Sequence, residues 1–347
     1  MNIREFDYYL PQELIAQFPS ERRDESRLLC IDRSSKTIRH GCFKTVIDEL
    51  NAGDALVLND TKVRPVRLIG RIGTRQVDVL LVERLAKNSY LVKAKPGAKF
   101  KPGTEVVFSP SRITARCVED DAARRKGMKL LEFQMEEDIE TLLDSVGLMP
   151  LPPYIKRAVK ESDAARYQTV YAKNSGAIAA PTAGLHFTQE ILDSLWQKGV
   201  ALIYLTLHIG LGTFTPVRAE NIKEHKMHAE SCELPQDAAR EIERIRRSGG
   251  RICAVGTTVC RVLESCAYIE NSELRFKHGK GTTDIFIYPG YEFKAVDMLL
   301  TNFHLPKTTL LMLVYAFAGR EIAREAYAEA VKEKYRFFSY GDCMLIA

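Results

Sequence analysis

Two histidines stand among small and hydroxylated residues near the middle of the chain: His186 in NSGAIAAPTAGLHFT and His208 in LTLHIGLGTFTPVR. Imidazole is the side chain best suited to exchange protons near neutral pH. The apolar, β-branched run over 200–207 predicts a strand, and His208 sits where it ends. Gly210, Gly212 and Thr213 follow, so the backbone can turn and approach a ligand with no Cβ in the way. A polar side chain at a strand end, followed by free N–H groups, is how α/β enzymes build a site beyond the sheet. A plain turn, with its histidine satisfying local hydrogen bonds, uses the same residues.

Two further junctions share this design. In CAVGTTVCR, Gly256 turns the chain and Thr257 or Thr258 opens a helix whose first N–H groups can face an anion or carboxylate. In MLLTNFHLP, Asn302 and His304 flank Phe303. Parallel strands would bring all three ends to one face. GDALVLNDTKV adds a buried strand, Ala55–Leu58, that runs into Asn59, Asp60 and Thr61. HKMHAESCEL supplies His225, His228 and Glu230. His-x-x-His can hint at metal, but helical zinc pairs are spaced i, i+4, no HExxH occurs, and the eight cysteines include no Cys-x-x-Cys. No metal is therefore expected, and these groups read as hydrogen-bonding or proton-transfer residues. Phe187, Phe214, Phe303, Phe337, Phe338 and Tyr340 read mainly as core, with one or two free to stack on a purine or face a cation.

The elements that must position these residues fall into two textures. Between 67 and 149, six segments (VRLIGRI, QVDVLLVERL, SYLVKAK, TEVVFS, RITARCV and MKLLEFQM) alternate with turn residues. Strands of this length in succession predict a small all-β barrel or sandwich. Its charge is uneven: residues 67–116 hold eleven Lys/Arg against three Asp/Glu, and 117–149 hold four against nine. The basic part suits phosphate, although solvated faces are also charged. LMPLPPYI closes this region. Beyond it, helices expected near 188–198, 236–248, in TTVCRVLESCA and at 309–317 alternate with strand-like runs that include RICAVG, DIFIYPG and VDMLLTNFHLP. REIAREAYAEAVKEKY precedes a last strand in FFSYGDCMLI. The expected fold is α/β: a barrel-like α/β domain made of 1–66 with 150–347, interrupted by an inserted β-barrel over 67–149.

Length and composition agree with that reading. A chain of 347 residues, 46% hydrophobic and 27% charged, can bury a full core. Its net charge of +5 permits a polyanionic partner without demanding one. The start MNIREFDYYL has no apolar h-region, and the longest apolar run, Leu310 to Ala318, is too short to span a bilayer. With no disulfide-like cysteine spacing, a reducing cytoplasm is expected, with no membrane partner. A monomeric chain is expected, although nothing in the sequence fixes the oligomeric state.

From end to end the chain also resembles the S-adenosylmethionine:tRNA ribosyltransferase-isomerase family of queuosine biosynthesis. The motifs that carry the likeness are FDYYLPQELIAQFP with RRDESRLL, LVLNDTKVRPVRL, PPYI, RYQTVYAKNSGAIAAPTAGLHFT, LTLHIGLGTFTPVR, HKMHAE, AVGTTVCRVLE, TDIFIYPGYEF, VDMLLTNFHLPKTTLLMLVYAFAG and YRFFSYGDCMLI. One departure is GTRQV near 73–76, where the family usually carries a Gly-rich turn. The resemblance implies an α/β-barrel domain with a β-barrel insertion. It also implies transfer and isomerisation of the ribosyl part of S-adenosylmethionine, a co-substrate and not a prosthetic group. The acceptor is 7-aminomethyl-7-deazaguanine (preQ1) at the wobble position of tRNA, and the product is epoxyqueuosine, with adenine and methionine released. Such chemistry needs a base beside the sulfonium, an acid for adenine and a neutral attacking amine. His186, His208, His228 and His304 are the candidates, with Glu230 and Asp60 as orienters, and the sequence does not assign which is base and which acid. Gly210, Gly212, Thr213, Gly256, Thr257, Thr258 and Asn302 are expected to hold S-adenosylmethionine. Arg64, Arg67 and Arg71, next to the NDTKV strand end, are expected to contact tRNA phosphates. Two other classes use the same residues: a metal-dependent hydrolase with histidine ligands, and a non-enzymatic RNA-binding protein with a β-barrel reader.

Overall fold

The computed structural model describes residues 1–95, 100–109, 113–210, 212, 217 and 219–347. Its centre is a mixed nine-stranded sheet. Four of its strands run parallel: β12 (Ala201–Leu207), β3 (Ala55–Asn59), β14 (Ile252–Val255) and β18 (Met298–Asn302). On one side β12 continues antiparallel into β13 (Glu230–Leu234) and β17 (Gly279–Thr283). On the other, β18 pairs antiparallel with β19 (Cys343–Ile346), which lies parallel to β1 (Arg27–Asp32), and β2 (Thr37–Cys42) closes that side.

The parallel strands are buried on both faces, which is why they read as continuous apolar runs. Successive residues feed two cores. Ala55, Val57, Ala254 and Leu299 pack with the helices Gln236–Arg247, Thr257–Cys266, Thr309–Ala318 and Arg320–Lys332. Leu56, Leu58, Cys253, Val255 and Leu300 pack with the helix Gln189–Gln197 on the opposite face. Each helix expected from the sequence is present, with ends shifted by a residue or two. DIFIYPG is the exception among the strand-like runs: it forms no ladder, because Ile287 and the rings of Phe286 and Tyr288 pack as a loop.

The inserted region is a closed antiparallel barrel in the order β10-β7-β6-β5-β8-β9. Its strands are β5 (Arg67–Ile72), β6 (Arg75–Ala86), β7 (Ser89–Lys95), β8 (Glu105–Phe108), β9 (Ile113–Val118) and β10 (Lys129–Phe133). All six segments anticipated there are strands, with alternate residues such as Val77, Val79 and Leu81 turned into the barrel core. The GTRQV departure is a two-residue hairpin turn: Ile72 pairs with Arg75, and Gly73 takes a positive φ of 58°. The α/β domain interrupted by a small all-β barrel is thus the architecture found. Closure belongs to the insertion, whereas the nine-stranded ladder has two ends. Two short pairs complete the fold: β4 (Thr61–Val63) beside β11 (Asn174–Ala177), and β15 (Ala267–Glu270) with β16 (Glu273–Phe276).

The chain enters and leaves the barrel through touching backbones. Arg67 bridges Leu148, and a Cβ built on Gly147 would collide with Pro65 O and crowd Leu143 O at 2.7 Å. Backbone cannot yield as a flexible side chain does. Gly147→Ala should therefore destabilise the protein by about 3 kcal/mol, read as an earlier unfolding transition in heat or denaturant. An unchanged midpoint would show that the junction is plastic.

Candidate active site at the parallel strand ends

Because β12, β3, β14 and β18 run the same way, their carboxyl ends share one edge. The polar residues that the sequence places at these ends are thereby brought together. The side chain of Asn59 ties two ends: Nδ2 donates to Leu207 O at 3.0 Å, and Oδ1 accepts from Leu207 N and Thr61 N. Beyond this edge lies a cavity of about 580 Å³, within the size range of small-molecule sites. Gly256, Thr257, Thr258, Asn302 and His304 line it, together with Tyr154, Ala179, Ala180, Ile209 and Phe338. Gly256 ends β14 at φ 91°, a left-handed conformation that glycine adopts without strain, and the helix Thr257–Cys266 starts directly after it. The first N–H groups of that helix face no earlier turn, so this part of the wall favours a negative group.

Asn302 is held by several partners. Its Nδ2 donates to Phe338 O at 3.0 Å and to Asp342 O at 3.4 Å. Carbonyls only accept, so the amide orientation is fixed, and His186 Nε2, at 3.2 Å, must accept as well. The His186 proton therefore sits on Nδ1 and is donated to Ser26 Oγ at 2.9 Å. Burial pushes the His186 pKa down to about 4, keeping the ring neutral. His186 thus stands behind Asn302, outside the cavity's lining. His304 is in the lining. Its Nε2 meets Thr301 Oγ1 at 2.9 Å, its N–H donates to Tyr327, its carbonyl accepts from Tyr8, and burial takes its pKa down to about 3. In the same wall Thr258 Oγ1 and Asn302 Oδ1 are buried with no hydrogen-bond partner, a cost that a bound donor would offset.

His208 stands beside this cavity, one residue before Ile209. Its Nδ1 meets Thr61 Oγ1 at 2.8 Å, and its ring lies against Gly176, where a Cβ would come within 2.6 Å of it. Burial lowers its pKa below the ordinary 6.5, partly opposed by the neighbouring Asp60 carboxylate. Asp60 accepts from Thr206 Oγ1 at 2.7 Å and from Asn174 Nδ2. This trio joins β3, β4, β11 and β12.

The other expected site residues lie further out. Glu230 is buried: Oε2 pairs with Arg261 at 2.5 Å, and Oε1 accepts the Gly210 N–H at 3.1 Å. Arg261 was not anticipated; its one sequence signal is a charged residue inside the apolar face of TTVCRVLE. His228 is exposed, and its ring fills the space a Cβ on Gly212 would need. Thr213 and Phe214 lie outside the described residues. Arg64 is paired with Glu140, and Arg67 chelates Asp78 through Nε at 3.0 Å. Arg71 alone of the three is exposed on the outer face of β5. Among the described residues, no group of three His, Cys, Asp or Glu side chains could hold a metal ion, and no helix is long and apolar enough to cross a membrane.

An α/β domain with a closed barrel insertion carries, at its parallel strand ends, a mainly apolar cavity with a few converging polar groups, the form that a small-molecule enzyme's site takes. Residues 3–346 match the family described as queuosine biosynthesis protein, and the chain belongs to it. It is 50% identical, over the full length of both chains, to S-adenosylmethionine:tRNA ribosyltransferase-isomerases of Halothermothrix orenii and Acetivibrio thermocellus. The crystal structure of an S-adenosylmethionine tRNA ribosyltransferase from Thermotoga maritima matches it at 40% identity and a TM-score of 0.56, covering 99% of this chain and all of that one.

The two buried imidazoles fix a pH dependence. Their folded values, about 4 and about 3, lie below the ordinary 6.5, so on acidification the unfolded chain binds protons first. Stability should hold above 6.5 and fall steadily as the pH drops towards 4. Thermal unfolding followed across that interval checks this; a midpoint that does not move would mean that the rings are hydrated.

Proposed function

We propose that this protein transfers and isomerises the ribosyl moiety of S-adenosylmethionine onto 7-aminomethyl-7-deazaguanine in the wobble position of tRNA, releasing adenine and methionine. The observation that carries this reading is the cavity at the parallel strand ends in a chain 50% identical to enzymes named for that reaction. A cytoplasmic enzyme fits it, with 1–66 and 150–347 as the catalytic domain and 67–149 as the insertion.

The chemistry suits the wall. A sulfonium is cationic, so the positive end of the helix Thr257–Cys266 is the place for the methionine carboxylate, held by Gly256, Thr257 and Thr258. Among the described residues of the lining Lys307 is the one cation, and Asp7 neutralises it at 2.7 Å. The positive sulfur acidifies the adjacent ribose carbon, and a neutral imidazole takes that proton. His208 is the fitting base. Desolvation keeps it unprotonated, and the Asp60 carboxylate beside it stabilises the imidazolium once formed. His304, neutral down to about pH 3, serves as a hydrogen-bonding group. His186 acts through Asn302. Glu230 positions Gly210, and His228 packs against Gly212. Of the three arginines expected to meet tRNA, Arg71 is the exposed one available to RNA phosphate, with Arg64 and Arg67 committed to their carboxylates.

Incubation with S-adenosylmethionine and precursor-bearing tRNA should yield free adenine and a mass-shifted nucleoside; neither appearing would end this reading. His208→Gln should lower turnover by roughly 10²–10⁴-fold without unfolding the protein. Wild type should lose rate as the pH falls through a midpoint below 6.5, where His208 takes a proton, and the variant should lack that limb. Exhaustive chelation should leave the rate unchanged, and a loss restored by zinc would favour the hydrolase.

A further inference from the structure

Next to the main cavity is a second recess, of about 20 Å³, lined by Ser20, Arg23, Ser26, Arg166 and His186. That is room for one oxygen-sized group. Ser339 belongs to both linings, so the recess opens on the same wall as the cavity.

Two guanidiniums face this recess without a counter-ion. Arg23 donates to Leu185 O and Ala165 O, and Arg166 to Glu21 O and Ser20 O. All four acceptors are main-chain carbonyls. Among the described residues neither arginine has a carboxylate within ion-pair distance, and the Arg166 Nε–H is buried without an acceptor. Arg166 lies close enough to repel the Arg23 charge. Two like charges held together by carbonyls alone form a preorganised anion site.

The ground around the recess has the chemistry of a nucleotide contact. Phe18 is 49% exposed, with the Arg157 guanidinium 4.5 Å and the Lys160 ammonium 4.6 Å from its ring centre. Asp163 neutralises Arg157, whereas Lys160 is exposed. Gln17 fastens the two segments to the cavity: its Nε2 donates to Tyr154 O at 2.9 Å, its Oε1 accepts from Lys156 N, and the Tyr154 hydroxyl meets Ser339 Oγ at 2.5 Å. A base drawn into the cavity would leave its flanking backbone over this platform.

We propose that the Arg23–Arg166 recess, with its Phe18–Lys160 rim, is an RNA phosphodiester site: it holds the backbone beside the reacting base. One non-bridging oxygen enters the recess, and a neighbouring base lies against the Phe18 ring or the Arg157 plane. The proposal rests on tRNA being the substrate.

The test is the affinity of an anticodon stem–loop RNA transcript, titrated at several salt concentrations, with S-adenosylmethionine binding measured in parallel by calorimetry. Arg166→Gln should raise the RNA Kd about tenfold and reduce the salt slope by about 0.7, one single-strand phosphate contact. Arg166 also ties Ser20 and Glu21, so Phe18→Ala with Lys160→Gln, both at exposed positions, provides an independent variant that keeps the fold; it should weaken RNA about tenfold as well. S-adenosylmethionine affinity should be unchanged in both. Unaltered RNA affinity in the folded double variant, or lost S-adenosylmethionine affinity with RNA binding intact in Arg166→Gln, would overturn the proposal; the second would make the recess a carboxylate site. Wild-type protein that binds no RNA would instead sink the tRNA reading itself.

Discussion

Four strands pointing the same way decide where this protein can do chemistry. Inside the sheet the backbones of β3, β14 and β18 are committed to a strand on either side, β12 is paired with β3 over most of its length, and both faces are apolar. At the shared carboxyl edge that commitment ends. Polar side chains take over there: Asn59 ties one end, His208 and Asp60 another, and Gly256 and Asn302 frame the cavity. Reversing one strand would carry its polar end across the molecule and dissolve the site.

Burial and chemistry are coupled at this edge. Neutral imidazoles suit the S-adenosylmethionine pocket proposed above, because a protonated ring would repel a sulfonium. Keeping His186 and His304 neutral requires taking them out of water, and their hydrogen bonds to Ser26, Asn302 and Thr301 make that tolerable. Thr258 Oγ1 and Asn302 Oδ1, left without partners, show that stability is not maximised at this wall.

Much of this was legible in the sequence, for identifiable reasons. The barrel strands announced themselves by alternation, and the junctions after β12, β14 and β18 by glycine and polar residues at the ends of apolar runs. β17, sequence GKGTT, was not legible, because its register with β13 is set by a partner and not by its own polar, glycine-rich residues. β1 and β2 were obscured by the charged SERRDESR that precedes them. Among site residues, position in the chain could not tell a side chain that lines the cavity, such as His304, from one that stands behind it, such as His186. The acid partners of Arg64 and Arg67 were likewise invisible, since Glu140 lies 76 residues from the first. Arg23 and Arg166 stood in the motifs RRDESRLL and RYQTVYAKNSGAIAAPTAGLHFT with no role of their own until folding placed them on one recess.

The touching entry and exit of the insertion bear on how the chain reaches this state. β3 and β12 are partners separated by well over a hundred residues, and the entropy of closing so long a loop must be met before the pairing gives anything back. The barrel between them is built largely from hairpins of neighbouring strands, whose contacts are local and cost little chain entropy to close. Once it closes, Arg67 and Leu148 are already side by side, and some eighty residues of slack have been removed from the larger loop. The insertion is thus a splint as much as an appendage: it shortens the search by which the catalytic sheet finds its register.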